Sequence, residues 1–361
     1  MKIRSLLGFV IFAAVFLSCK KEKDPANPFN ENLESCVLIV DQGNFEKSNG
    51  DISFFNRITK KSASTVFSTI NNRPLGDVVQ SISRFNSKYY IVVNNSDKIE
   101  IVQEGSFRSI GVINDLQQPR YFLGISSTKA YVSEWQKPDN SGIPALGTIA
   151  VIDLSTNTIT KRITAGFGAE NMLKAGNFVY VANSGGFGVD STVTVIDYTT
   201  DAVVATIAME SNPQGFIQDK DGKIWTLCGG LMNWLTYAMT SQPALVRINP
   251  DGNSVEATYS MSAAPGVASN ISTNAAKDKI FFNINYGNGV YAFDISASSI
   301  DPAPVLNVTL TGFGVDPKND YLYCADPGDY ATNGTIRRYN SAYQIVDSFK
   351  VGLVPGGFLF N

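Results

Sequence analysis

The sequence predicts an all-β chain folded as a single seven-bladed β-propeller, closed by pairing of its N- and C-terminal strands. Three observations predict it. Seven hydrophobic strands stop at short, mostly polar tips, at Asp41, Asn94, Glu134, Asn183, Cys228, Asn283 and Asp326, spaced 40 to 55 residues apart. Each tip strand has further strand-like segments around it, four to a unit, which is the period and content of a propeller blade. The first unit lacks a strand ahead of its tip strand, and residues 354–361, "VPGGFLFN", form a strand-like segment with nothing after it. One sheet built from both chain ends would use both leftovers.

Residues 1–18 read as a signal peptide. Lys2 and Arg4 give a positive start, and "LLGFVIFAAVFL" is an apolar core too short to span a bilayer. It ends in "SCKK", with Cys19 following a small residue. Residues 19–35 carry that cysteine and the polar, proline-containing run "KKEKDPANPFNENLE", the composition of a flexible tether. Residues 36–361 are then the propeller.

Within it, the tip strands "CVLIVD", "YYIVVN", "KAYVSE", "FVYVAN", "KIWTLC", "KIFFNI" and "YLYCAD" each lead to a third strand. Those are "GDISFFN", "DKIEIVQ", "GTIAVID", "STVTVID", "ALVRIN", "GVYAFD" and "GTIRRYN", most ending in Asp or Asn, which favour turns through side-chain to backbone bonds. Alternating segments follow as fourth strands, among them "ASTVFSTI" in the first unit and "APVLNVTL" in the sixth. First strands precede six tips, from "GDVVQSISR" to "GFGVDP". Small residues suit the crowded axis, so Gly166, Gly168, Gly215, Gly266, Gly314, Gly356 and Gly357 are expected there. Seven such sheets packed radially bury both faces of each blade and leave only short outer edges.

Composition excludes several functions. The net charge of −3 offers no basic surface for nucleic acid. Histidine is absent, which removes Ser-His and Cys-His catalysis and imidazole-bound zinc. Beyond Cys19 three cysteines remain, an odd number without CxxC spacing. Cys36 and Cys324 fit buried thiols; Cys228, at a tip, is expected to be the more accessible.

The run "VYVANSGG" followed by "STVTVIDYTTDAVVATI" resembles the YVTN-type propeller repeat. With "SCKK", the opening "VLIVDQGNF" and the ending "VGLVPGGFLF", the chain is similar to a family of lipidated surface propellers of Bacteroidota. "SCKK" itself resembles a lipobox, which implies a lipidated Cys19 and an outer-membrane anchor facing the cell exterior. BtuG-like members of that family capture cobalamin-type corrinoids and pass them to a TonB-dependent outer-membrane transporter. The resemblance implies the same cargo and partner here.

In a propeller the tips share one face with the connections between blades. Ligand-binding candidates on that face are Asp41, Gln42, Asn44, Asn94, Asn95, Glu134, Trp135, Asn183, Ser184, Trp234, Asn283, Asn285, Tyr286 and Asp326. Each Asn or Asp can instead simply bond nearby backbone. Two loops depart from the repeat, residues 134–147 and the apolar residues 229–242, the latter a short helix on its own blade, an apolar wall or a partner contact. With Tyr330, these aromatics and amides suit a large amphipathic molecule such as a corrinoid. Corrinoid would be cargo, and no cofactor, metal site or catalytic residue is expected. A protein- or glycan-binding scaffold is the alternative, followed by a metal-dependent lactonase or lyase built on carboxylate and amide oxygens. Replacing Cys19 with serine is expected to abolish metabolic labelling of the protein with fatty acid; undiminished labelling would remove the lipobox reading.

Overall fold

The runs of apolar residues in the tip strands have no polar face to turn outward, so they demand cover on both sides. Cys36–Asp41 and Asp51–Asn56 are buried along their whole length. Alternation then splits each strand between two neighbours. Leu38 and Val40 pack toward the second blade, while Val37 and Ile39 pack toward the seventh. The same division recurs around the ring, giving an apolar core at each seam between successive blades.

The computed structural model describes residues 33–361 other than Ala263 and residues 285–288. The expected leader, Cys19 and most of the tether lie outside these residues, as do Asn285 and Tyr286. Leu33–Ser35 forms a 3-10 turn, and Leu33 packs on the first seam. Among the described residues no helix is long and apolar enough to cross a membrane.

The chain forms the seven-bladed propeller that the repeats predict. Among the described residues, six blades are four-stranded antiparallel sheets, and the sixth blade has three strands. In the first blade the inner strand is the C-terminal Pro355–Phe360, paired with Cys36–Asp41 from Val37↔Phe360 to Asp41↔Pro355. The ring therefore closes as expected, by joining both chain ends in one sheet. Its closing seam is unusually aromatic. Phe55 stacks on Phe349 at 4.1 Å between ring centroids and meets Tyr323 edge-on, with the Arg338 guanidinium 4.6 Å from the Phe55 ring. Arg57 crosses the seam, its Nε donating to Asp316 at 2.6 Å and its Nη1 to the Asn361 carbonyl at 2.9 Å.

Three expectations are corrected. The segment "ASTVFSTI" supplies only the short strand Ser62–Ala63 and then α1, Val66–Asn71. Asp51 on the neighbouring strand accepts from the Phe67 and Ser68 amides at 2.8 and 3.1 Å, satisfying the first turn of α1 from outside it. In the sixth blade "APVLNVTL" forms no strand; among the described residues it pairs with its sheet at the isolated bridge Val290↔Leu306 and packs Val305, Val308 and Leu310 on the seam. Pro302 and Pro304 have no amide to offer a ladder there. Gly166 and Gly168 lie in the connection ahead of the inner strand Ala169–Ala175. A side chain on Gly166 would meet Asn183, and Gly168 (φ +63°) lies against the Gly186 backbone.

The aromatic seam carries the prediction. Phe55→Ala is expected to cost about 3–5 kcal/mol, read as a lower denaturant midpoint, because its ring meets three partners across the closing junction. A change no larger than that of a surface substitution would contradict the assigned packing.

Candidate functional site

The inner strands surround the axis, and six of the seven are bulged near their start. Register shifts fall between Val79 and Ser81, Pro119 and Phe122, Ala169 and Met172, Pro213 and Gly215, and Ser269 and Ile271. In the first blade the shift skips Gly356. A bulge inserts a residue with no ladder partner and re-aims its side chain. The bulges hold Gln80, Arg120, Glu170, Asn171, Gln214 and Asn270, all of which line a central cavity of about 480 Å³. The chain enters five of these strands through a residue of positive φ: Val78, Gln118, Gly168, Asn212 and Val354.

Farther along the inner strands, Ile82, Phe216, Ile271, Phe313 and Phe358 line the same cavity. The cavity thus has a polar rim on the tip-bearing face and an apolar tier beneath it. On the rim, Arg120 makes a two-pronged ion pair with Glu170, Nε to Oε2 and Nη2 to Oε1, both at 2.9 Å. Trp135 joins them. Its Nε1 donates to Glu170 Oε2 at 2.6 Å, and the Arg120 guanidinium lies 4.0 Å from its ring. Phe187 meets Trp135 edge-on. Burial, with the nearby Glu170 charge adding to it, pushes the Tyr121 hydroxyl up to about 12, so this wall residue stays neutral.

The expected tip residues divide into three groups. Gln42 lines the cavity, and Trp135 reaches it through Arg120 and Glu170. Asp41, Asn94, Glu134, Asn183 and Asn283 are buried beneath the face instead of standing on it. Their polar atoms fasten connections and neighbouring strands. Asn94 Nδ2 donates to the Pro119 carbonyl, and Glu134 accepts from the Gln117 amide, Thr148 and Arg162. Asn183 bonds the Gly166 amide, Thr192 and Thr194, while Asn283 accepts from Asn270. Asn44, Asn95, Ser184 and Asp326 are partly exposed, away from the axial lining, and bonded to Tyr330, Asp77, Gly168 and Arg337 respectively.

Two further expectations are corrected. Cys228 is fully buried, and burial drives its thiol pKa strongly upward, so it is an inert thiol like Cys36 and Cys324. The apolar loop is neither a helix nor a wall of the cavity; it is a hairpin, Leu231–Asn233 paired with Ala238–Ser241. Trp234, Leu235 and Tyr237 at its tip are 57%, 93% and 70% exposed.

The rim residues Gln80, Arg120, Glu170, Asn171, Gln214 and Asn270 are absent from the sequence-based candidates. Their signal is visible afterwards: a polar residue just inside the start of successive first strands, in "VVQS", "PRYF", "AENM", "PQGF" and "ASNI".

A family model described as a domain of unknown function, DUF5074, matches residues 35–342. The chain belongs to this family. No curated protein matches the sequence. Among solved structures, the DUF5074 propeller is similar to a quinonprotein alcohol dehydrogenase-like protein from Bacteroides thetaiotaomicron, with 17% identity, 92% of this chain and 79% of that one covered, and a TM-score of 0.66. It is also similar to a putative 6-phosphogluconolactonase from Bacteroides uniformis, at 12% identity over 90% and 98% of the two chains, TM-score 0.61. Hydrazine synthase from Kuenenia stuttgartiensis follows at 16% identity over 70% and 73%, TM-score 0.56. Likeness at these identities is likeness of fold.

One buried carboxyl beside the rim gives a pH prediction. Burial raises the Asp41 pKa well above the ordinary carboxylate value, and Asp51 opposite it raises it further, against the hydrogen bond from Ser53 at 2.6 Å. A raised native pKa means that the folded state holds this proton where the unfolded chain has lost it. Its contribution to stability is full below the ordinary value and declines as pH rises through the raised one. Asp41→Asn is expected to flatten the fall in unfolding free energy across that window. An unchanged slope would show that Asp41 is not the titrating group.

Proposed function

We propose that this DUF5074 propeller is a non-enzymatic capture protein that takes a small molecule at the axial cavity, on the face bearing the tips. The observation that carries this reading is the cavity's two tiers, a rim of amides and a paired guanidinium above a tier of aromatic and branched side chains. Recognition sites of this kind bury an apolar body and orient it with a few polar groups. The carboxylates at the tips are already committed: Asp41 to Ser53, Glu134 to Arg162 and Thr148, Asp326 to Arg337. That supports binding over a metal-dependent lactonase or lyase.

The leading cargo is a corrinoid. A cavity of about 480 Å³ is too small to enclose a corrin ring with all its side arms. The macrocycle would lie across the face with one edge or arm lowered into the rim, where Gln42, Asn171 and Gln214 match its amides. The sequence resemblance supports a lipid anchor at Cys19, an outer-membrane location facing outward, and transfer to a TonB-dependent transporter. The exposed Trp234, Leu235 and Tyr237 supply an apolar surface suited to such a protein partner.

Calorimetric titration with cyanocobalamin tests this reading, with one-to-one binding expected. The Gln42→Ala/Asn171→Ala double variant removes two lining amides that bond to no described residue, and is expected to bind at least about tenfold more weakly at unchanged Tm. Absence of heat would remove the corrinoid cargo. Binding that the double variant leaves unaltered would move the ligand off the axis.

A further inference from the structure

The charge arrangement of the rim says which ligands the cavity accepts, an inference that rests on the axial-capture reading above. Among the described residues, Arg120 and Glu170 are the one base and the one carboxylic acid of the lining, and they form an ion pair. Their side chains are only 15% and 5% exposed. Glu170 therefore cancels the Arg120 charge within the wall. It does so with two of the five guanidinium N–H groups, at Nε and Nη2. Nη1 has no hydrogen-bond partner among the described residues, and Arg120 lines the cavity. Trp135 contacts both members of the pair, donating to Glu170 and stacking its ring on the guanidinium. The Gln42 and Asn171 amides line the same cavity.

We infer that the rim selects an uncharged ligand that presents a carbonyl or hydroxyl oxygen to Arg120 Nη1, and that it rejects carboxylates and phosphates of similar shape. A neutral oxygen takes up the spare N–H groups without disturbing the ion pair. An anion arriving at the same atoms meets Glu170, whose side chain is 5% exposed and paired there. It gains little from a guanidinium already neutralised by its partner, and like charges that close repel more strongly the less solvent screens them. Glu170 is thus a specificity-determining residue, and Trp135 a positioning residue that acts through it.

Two experiments on the whole protein test this. In the first, inorganic phosphate is titrated into wild type and Glu170→Gln. Wild type is expected to show no saturable binding, and Glu170→Gln to gain saturable binding; adding Arg120→Gln should remove the gain. Equal phosphate binding by wild type and Glu170→Gln, or a folded Glu170→Gln that gains nothing, overturns the inference. In the second, wild-type crystals are soaked in acetamide and in acetate, a pair alike in shape and different in charge, which keeps the test independent of whether the variant folds. Density for acetamide with its oxygen on Arg120 Nη1, and none for acetate, is expected. Acetate at that position, or neither molecule, overturns it. Silence toward cyanocobalamin together with a phosphate gain in Glu170→Gln would remove the corrinoid cargo while leaving the neutral-ligand preference standing.

Discussion

Everything in this molecule depends on blades that are apolar on both faces. A free sheet of this composition would leave one face in water whatever its orientation. Radial packing solves this only when the last blade meets the first, and Pro355–Phe360 on Cys36–Asp41 makes that junction. The closing seam accordingly holds stacked and edge-on aromatic rings and a buried ion pair, Arg57 with Asp316. Closure also fixes the radius of the ring, and the radius creates an axial space that the inner strands line but do not fill.

The polar groups divide between two tasks. At the strand tips, Asn, Asp and Glu are placed where backbone from the connections would otherwise be buried without partners, and they satisfy it. One residue into the inner strands, a repeated bulge breaks the alternation and turns amides and one ion pair toward the axis. The first set holds blades in register; the second gives the cavity its chemistry. Both sets belong to the same face because the tips and the starts of the inner strands lie at the same end of the blades.

Much of this was legible in the sequence. Period, strand content and the two unmatched chain ends specify the propeller and its closure. The outer strands of blades one and six were misread because an alternating apolar pattern does not show that the ladder amides are free. Asp51 stabilises a helical turn at the first site, and prolines interrupt the ladder at the second. The tips drew attention as a binding surface because they are polar, yet burial depth is a property of the assembled ring and cannot be read from a strand end. Of the tip candidates, only Gln42 lines the axial cavity among the described residues, and Trp135 contacts its Arg120 and Glu170. Gln80, Arg120, Glu170, Asn171, Gln214 and Asn270 were not found from the sequence, because a bulge of one residue leaves little trace in hydrophobic periodicity. Only alignment of the seven units on their inner strands brings out the recurring polar position.

The central claim is that the axial cavity, with its polar rim over an apolar tier, is where this protein binds. A crystal structure of the protein soaked or grown with cyanocobalamin tests it most directly. The account predicts ligand density on the axis, within hydrogen-bond reach of Gln42, Arg120 and Gln214, with an arm directed toward Phe216 and Phe313. Density confined to the Trp234 hairpin or to the outer edges of the blades, with the cavity unchanged, would contradict it.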